Sequence, residues 1–533
     1  MIGDLERNLI GRIAIGDIFR RRALATPDEE AVVERRGNRD LRLTYLELNT
    51  NLNRFVHAVR GLGLKKGDRI GLLGPNSVEY LISLYGCAKG GFVAVPINPR
   101  LNSKDVVYIL EHAEATVLVV DDALIPLAEA IRSEVPALKH FIKLSTMNEP
   151  TNHPYIDFYD FLDGCPGTEI EDVVIDDKDV FEILYTSGTT ASPKGVMVTH
   201  LSVFIMSLTN LVELKLFREH VGTTLMPLFH CAQQTFTTSY LHVGGKTVIF
   251  REFNPGFMLE TIQKEKIGFI FALPAMFRAM LEHPRLKDFD LSSVERCLYA
   301  MTPMGQSTLK EAIGVFGADF MLGTGQTEFF PSTNTFRPEW QLKKEGNYWG
   351  ESALTVDTAV MDDDGNILPK GQIGEIVWRG PAVMKGYWKN EEATEEAWKF
   401  GWHHSGDLGY FDEDGLLVFV DRKKDMIKTG GENVSSIKVE RAILKDPRVE
   451  EVAVVGLPHR QWIEAVTAFV KLAEGSQIKE EEIIGLCRNE LGGFEIPKRV
   501  VFLDDLPKTA TGKLQKHILR QRFSDLYMEE KRQ

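Results

Sequence analysis

At 533 residues the chain is several times the ~150 residues of a typical domain, so more than one compact unit is expected. A hydrophobic share of 44% and a charged share of 26% exclude disordered, collagenous and coiled-coil chains. The net charge of −14, with no basic run of five or more residues, disfavours nucleic acid and anionic membrane as partners. The five cysteines (Cys87, Cys165, Cys231, Cys297, Cys487) are scattered without a Cys-x-x-Cys pair. That pattern fits reduced thiols in a cytoplasm and argues against a disulfide framework or a zinc site. The opening MIGDLERNLIGR carries no continuous apolar run, so no signal peptide is expected, and nothing approaches the ~20 apolar residues of a membrane helix. The expectation is a large cytoplasmic protein without integral membrane contact.

Taken in chain order, Arg69–Leu73 reads as a strand, Gly74-Pro75-Asn76-Ser77 as a turn and Val78–Lys89 as a helix. Phe92–Pro96 and Thr116–Val120 read as the next strands, a spacing that predicts parallel βαβ units in an open α/β sheet. The pattern returns over 179–336, with Thr247–Phe250 and Phe269–Leu273 as buried strands. Past Gly350 the rhythm becomes β-rich. The Asp-Gly clusters at 362–365 and 412–415 read as hairpin turns, since they lack the spaced ligands and closing glutamate of a calcium loop. From about Val439, strands at 452–455, 466–472 and 499–503 mix with helices at 479–491 and 514–527, as in a separate small α+β unit. The charged joint Asp421-Arg422-Lys423-Lys424-Asp425 divides the chain into 1–421 and 422–533. The fold class is α/β: a large N-terminal domain of open α/β sheets with a β-rich subdomain, and a small mobile α+β C-terminal domain.

The chemistry-bearing stretch is Thr186-Ser187-Gly188-Thr189-Thr190-Ala191-Ser192-Pro193-Lys194-Gly195, set between the strands 183–185 and 196–198. Glycines let backbone N–H groups approach an anion, hydroxyls donate further bonds, and lysine adds a point charge. Those parts hold a polyphosphate. Pro193 before Lys194 excludes the Gly-Lys-[Ser/Thr] ending of the P-loop in kinases and GTPases.

This string resembles the signature of the adenylate-forming superfamily, which includes acyl-CoA synthetases, aryl-acid ligases, luciferases and adenylation domains, and the resemblance runs from Leu43 to Lys516. Met226-Pro227-Leu228-Phe229-His230 is similar to the segment that lines the family's acyl tunnel. Gly325-Gln326-Thr327-Glu328 is similar to the motif whose glutamate helps hold magnesium. Ser405-Gly406-Asp407 and Asp421-Arg422 resemble the ribose grip, Lys424 the hinge, Thr429-Gly430-Gly431-Glu432-Asn433 the coenzyme A loop, and Lys508–Lys513 the catalytic-lysine loop. Singly, His230 would read as a core histidine, Lys513 as a solvated charge, and Met301, Met304 and Met321 as core filler; the ordered set changes those readings.

The resemblance implies a catalytic set of Lys513, Thr186, Glu328 and His230, with Thr186 and Glu328 at magnesium. It implies ATP contacts from Thr186, Ser187, Gly188, Thr189, Thr190, Lys194, Thr302, Thr324, Gly325, Gln326, Thr327, Asp407, Arg422 and Lys513. The acyl pocket would be formed by His230, Met301, Met304, Gly325, Phe329 and Phe330, and coenzyme A would enter at Gly430 and Gly431. The partners would be ATP, coenzyme A and a small carboxylic acid, and a homodimer is left open.

Four positions depart from the family pattern. Thr324 stands for the tyrosine that stacks on adenine, and Ala300-Met301-Thr302-Pro303 stands for Gly-Gly-Ala-Pro. Ser436-Ile437-Lys438-Val439-Glu440 stands for Pro-x-Glu-[Ile/Val]-Glu, and Trp462-Ile463-Glu464 for Trp-Gly-Glu. The reaction expected is AMP-forming acid–CoA ligation through an acyl-adenylate. Rivals are an acyl-AMP ligase, a stand-alone adenylation enzyme or a non-catalytic nucleotide-binding regulator. Acetate-activating relatives carry tryptophan at the position of Gly325, so its lack of a side chain predicts an open tunnel floor and a hydrophobic acid larger than acetate, medium-chain or cyclic.

Overall fold

The computed structural model describes residues 3–36, 39–144, 155–186, 193–300, 304–508 and 514–527. By internal contacts it forms two units: Met1–Thr186 with Ser192–Thr358 and Trp378–His403, and a smaller one that includes Ala359–Val377 and His404–Gln533.

In the larger unit the strand Arg69–Leu73 lies parallel to both Val93–Ile97 and Val117–Asp121. The sheet continues in parallel through His140–Leu144 on one side and Val180–Thr186 on the other. The mostly apolar helix Val78–Gly90 is buried along its whole length, its two charged residues, Glu79 and Lys89, paired with Arg36 and Glu169. Ser77 caps it by accepting from the Tyr80 N–H at 3.0 Å, and Gly91, at φ 73°, ends it. A second parallel set, Phe269–Ala272, Arg296–Tyr299 and Asp319–Thr324, turns antiparallel at Asn334–Phe336. Thr186 and Gly325 therefore stand at the carboxyl ends of parallel strands, where open α/β sheets bind their ligands.

In the smaller unit the acidic turns close hairpins: Asp362 N–H donates to the Asn366 carbonyl at 3.0 Å and Asp412 N–H to that of Leu416 at 3.0 Å. A five-stranded sheet runs Glu432–Val434, Ile427–Thr429, Ile463–Leu472, Val449–His459, with Arg499–Phe502 alongside Ile463–Leu472. Val452 and Val454 point into a core with Val439, Ile443 and Ile483, whereas Ala453 and Val455 point into another with Leu506 and Leu519. Helices thus cover both faces, which explains an apolar run that does not alternate. The strand at 452–455 extends to Val449–His459, and the helix expected over 514–527 is limited to Lys516–Arg522.

Candidate active site

The strand Val180–Thr186 pairs antiparallel with Lys194–Thr199, bringing Thr186 opposite Lys194. The Thr186 hydroxyl donates to the Lys194 carbonyl at 3.5 Å. Ser187, Gly188, Thr189 and Thr190 lie outside the described residues, as do Met301, Thr302 and Lys513. A short strand, Gly386–Tyr387, adds to the free edge of Lys194–Thr199, with Trp388 N–H donating to the Gly195 carbonyl at 2.7 Å. This delivers a side chain that the motif reading missed. The Tyr387 hydroxyl donates to Glu328 Oε1 at 2.8 Å, and Lys194 Nζ lies 4.9 Å from the centre of its ring. Burial, and then the negative charge of Glu328, push the Tyr387 pKa upward, so the phenol stays a donor. Its sequence signal was faint: a Gly-Tyr pair in a two-residue strand.

Glu328 belongs to the single turn Thr327–Phe329, and its carbonyl accepts the Met384 N–H at 2.7 Å. Cys231 Sγ sits 3.6 Å from the Thr327 hydroxyl, so the 226–231 segment and the 325–328 motif are neighbours. Burial pushes the Cys231 thiol up to about 12, which leaves it unreactive at neutral pH. His230 keeps its surface open to solvent, yet enclosure by protein lowers its pKa, the combination found on the wall of a recess.

The 226–230 segment is held by three buried side-chain amides. Asn76 accepts the Leu228 N–H at 2.7 Å and donates to the Met226 carbonyl at 2.9 Å. Gln233 accepts the Met226 N–H at 2.9 Å, and Gln234 donates to the Leu228 carbonyl at 2.8 Å. Irregular backbone is thereby satisfied without a strand partner. Asn76 comes from the predicted turn at 74–77, and its carboxamide was invisible as a site feature.

Met304, Phe329 and Phe330 are buried, Phe329 with its ring 6.2 Å from that of Trp378. Gly325 carries a constraint of its own. A Cβ built there would lie 1.2 Å from the Pro331 carbonyl oxygen, so close backbone approach demands glycine. A tryptophan at 325 would displace the 325–331 backbone instead of simply closing a tunnel floor. The Thr324 hydroxyl donates to the Asn334 carbonyl at 3.4 Å, Gln326 precedes the turn that carries Glu328, and Thr327 opens it.

In the smaller unit Asp407 and Arg422 are register partners on adjacent strands, with Arg422 Nε 3.6 Å from Asp407 Oδ1. Glu375 steadies this turn, accepting from the Gly406 N–H at 3.0 Å and from Lys423 Nζ at 3.0 Å. The pKa of Lys424 is lowered to about 8, by desolvation first, with Arg422 and Arg520 adding to it. Gly430 and Gly431 form a two-residue hairpin turn at φ 60° and 90°, backbone that only glycine adopts without cost. Gly430 N–H donates to the Trp462 carbonyl at 2.9 Å, and Lys498 Nζ lies 4.6 Å from the Trp462 ring centre.

Two residues of the departure at 436–440 have partners of their own. Ser436, at the first turn of Ser436–Ile443, gives both its N–H (2.6 Å) and its hydroxyl (2.8 Å) to the buried Asp421 carboxylate. Lys516 Nζ donates to the Ser436 hydroxyl at 2.5 Å. Lys438 pairs with Glu495 at 2.6 Å.

Residues 19–388 match the family model described as AMP-binding enzyme, and residues 438–513 match the AMP-binding enzyme C-terminal domain. The chain is 34% identical to a feruloyl-CoA synthase of Amycolatopsis sp over 508 residues, covering 94% of this chain and 98% of that protein. It is 34% identical to the long-chain-fatty-acid–CoA ligase FadD13 of Mycobacterium tuberculosis over 516 residues, covering 96% and 98%. Its fold superposes on the anthranilate CoA ligase AuaEII, solved with anthranoyl-AMP, with a TM-score of 0.84, 28% identity and coverage of 96% and 97%. The chain belongs to the AMP-binding enzyme family of adenylate-forming ligases. Within that family it is an AMP-forming acyl-CoA ligase, a class that uses ATP and coenzyme A. Among the described residues no helix is long and apolar enough to cross a membrane.

Proposed function

We propose that this ligase activates a hydrophobic carboxylic acid larger than acetate, medium-chain or cyclic, and transfers it to coenzyme A. The observation that carries the reading is the convergence of Thr186, Lys194, Tyr387 and Glu328 next to a 226–232 segment, Met-Pro-Leu-Phe-His-Cys-Ala, that has no carboxylate or permanent cation. A charged acyl group would be buried there without a partner, at a cost of several kcal/mol. Two of the relatives are named for largely apolar acyl groups, feruloyl and long-chain fatty acid, which supports the reading.

The carboxylate and the α-phosphate of ATP repel each other, and catalysis consists largely in neutralising the charge that grows as they join. Lys194, the Thr186 hydroxyl and Lys513 are assigned that task; Asp407 and Arg422 hold the ribose. One carboxylate and one hydroxyl, Glu328 and Thr186, suffice for magnesium when phosphates and water complete its shell. When bound, the ion supplies charge stabilisation at the phosphates. Tyr387 orients Glu328 for that role, and His230 lines the acyl side. Residues 422–533 are assigned as the mobile domain, turning about Lys424 to exchange Lys513 for the Gly430-Gly431 turn, where the thiol would enter. The five free cysteines fit a cytoplasmic location.

Acid-dependent ATP–pyrophosphate exchange over a panel from acetate to decanoate, with benzoate and cyclohexanecarboxylate, followed by coenzyme A-dependent AMP release, tests the reading. Exchange should rise with the apolar size of the acid until the pocket is full, each buried methylene adding about 0.8 kcal/mol. A preference for acetate or for a charged acid would overturn it.

A further inference from the structure

The acyl segment hangs on Gln234, and Gln234 in turn hangs on a buried acid. Glu182, from the strand Val180–Thr186, and Gln234, from the helix Cys231–Val243, are 0% and 1% exposed. Gln234 Nε2 donates both to Glu182 Oε2 at 2.9 Å and to the Leu228 carbonyl at 2.8 Å. The Leu228 carbonyl can only accept, so the amide nitrogen must face it and the amide oxygen must face elsewhere. Two buried oxygens are then left without a donor: Glu182 Oε1 and Gln234 Oε1. Buried polar atoms of this kind are rarely left unpaired.

Among the described residues no cation answers Glu182. The strands on either side set Ala94 and Val198 opposite it. Among the described residues, the titratable groups that feel its charge are Tyr80, Tyr85 and Cys87 of the helix Val78–Gly90 and Cys231 of the helix Cys231–Val243. Burial raises the pKa of all four, so they stay neutral. The same burial raises the Glu182 carboxyl to about 8, opposed only by the Gln234 hydrogen bond.

We propose that Glu182 works as a neutral carboxylic acid, its Oε1–H donating to Gln234 Oε1, so that acid and amide close a cyclic pair which fixes Gln234 as the positioning residue of the acyl segment. One proton satisfies both orphaned oxygens at once. The Leu228 carbonyl sets the amide orientation, because a flipped Gln234 would turn an oxygen toward it, and the proton holds the amide in that orientation. Ionisation would set a carboxylate oxygen against the amide oxygen with no donor between them, release the lock and free the Leu228 end of the segment. Glu182 touches neither substrate nor nucleotide; it acts through Gln234 and Leu228. The proposal rests on the reading of 226–230 as the acyl wall.

The test is the KM for the preferred acid in ATP–pyrophosphate exchange, without coenzyme A, measured across pH for wild type, E182Q and E182L. If only the neutral form is competent, the wild-type KM one pH unit above about 8 is about tenfold its low-pH value, while kcat stays flat. E182Q replaces the acid–amide pair with an amide–amide pair that keeps both bonds, so its KM should remain low and independent of pH. E182L should have a raised KM at every pH. An E182Q curve that follows wild type, or an E182L KM equal to that of wild type, overturns the proposal. Infrared difference spectra of wild type against E182Q, one unit below and one unit above about pH 8, read the proton without using activity. A carboxylic-acid band lost in E182Q and lost at the higher pH supports the pair even if no acid sustains exchange, in which case the acyl-wall reading alone fails. If no such band exists, the pair itself is wrong.

Discussion

Replacing Tyr387 with phenylalanine removes one hydroxyl and nothing else. That hydroxyl is the donor to Glu328 Oε1 at 2.8 Å, and the residue is only 9% exposed, so water has little access to replace it. A hydrogen bond to a charged group is worth about 1.5–3 kcal/mol, which corresponds to roughly 10- to 150-fold in a rate or binding constant. If Glu328 holds magnesium at the phosphates, the loss should appear as a higher KM for magnesium-ATP and a lower kcat for adenylate formation. The KM for the acid should hardly move. Y387F keeps the ring 4.9 Å from Lys194 Nζ, whereas Y387L removes it and should cost a further ~0.5–1 kcal/mol. The assay is ATP–pyrophosphate exchange under magnesium titration, with a urea melt of each variant to separate folding from function. Y387F with wild-type kcat and wild-type magnesium-ATP KM would refute the reasoning.

Gly325→Ala should lose soluble, folded protein or nearly all activity on every acid, because its Cβ would overlap the Pro331 carbonyl at 1.2 Å; a merely shifted acid preference would show that the backbone yields. Ser436→Ala should lower stability in a urea melt by about 1–3 kcal/mol by stripping a donor from buried Asp421, and Ser436→Pro by more, since the N–H goes too. Ser435, at φ −70° and ψ 118°, already suits a following proline at the first helical position, so an unchanged S436P melt would mean the Asp421 contacts contribute nothing. Lys513→Ala should reduce adenylate formation by about 10²–10³ while still converting a supplied acyl-adenylate to the thioester. Equal loss in both half-reactions would remove Lys513 from its assigned role.

The strand–helix–strand rhythm was readable because both parallel sets are short apolar runs ended by glycine and proline, as at Arg69–Leu73 and Val78–Gly90. The ordered motifs likewise carried the family, since Thr186, Glu328 and Asp407 are local strings that need no fold to be noticed. What pairs with them was not readable. Tyr387 reaches Glu328 across 59 positions, Asn76 reaches Leu228 across 152, and Glu182 meets Gln234 across 52, so nothing in a sequence window joins them. Gly325 shows a second limit. A missing side chain suggested space, while the structure shows a carbonyl where that side chain would be. The Gly430-Gly431 pair is ambiguous for a related reason, because the turn requires both glycines whatever passes beside them. Ser436 reads as a lapse from the family pattern until Asp421, 15 positions away, is seen to take both of its donors.

The central claim, that this chain joins its acid to the α-phosphate of ATP before the thiol arrives, is tested most directly by oxygen transfer. The preferred acid is supplied with both carboxylate oxygens labelled with heavy oxygen, together with ATP and coenzyme A, and the products are analysed by mass spectrometry. Attack of the carboxylate on the α-phosphorus and later release of AMP from the acyl carbon place one labelled oxygen in each AMP, leave the other in the thioester and put none in pyrophosphate. Label in inorganic phosphate with ADP as the nucleotide product, or thioester formed with unlabelled AMP, would contradict the account.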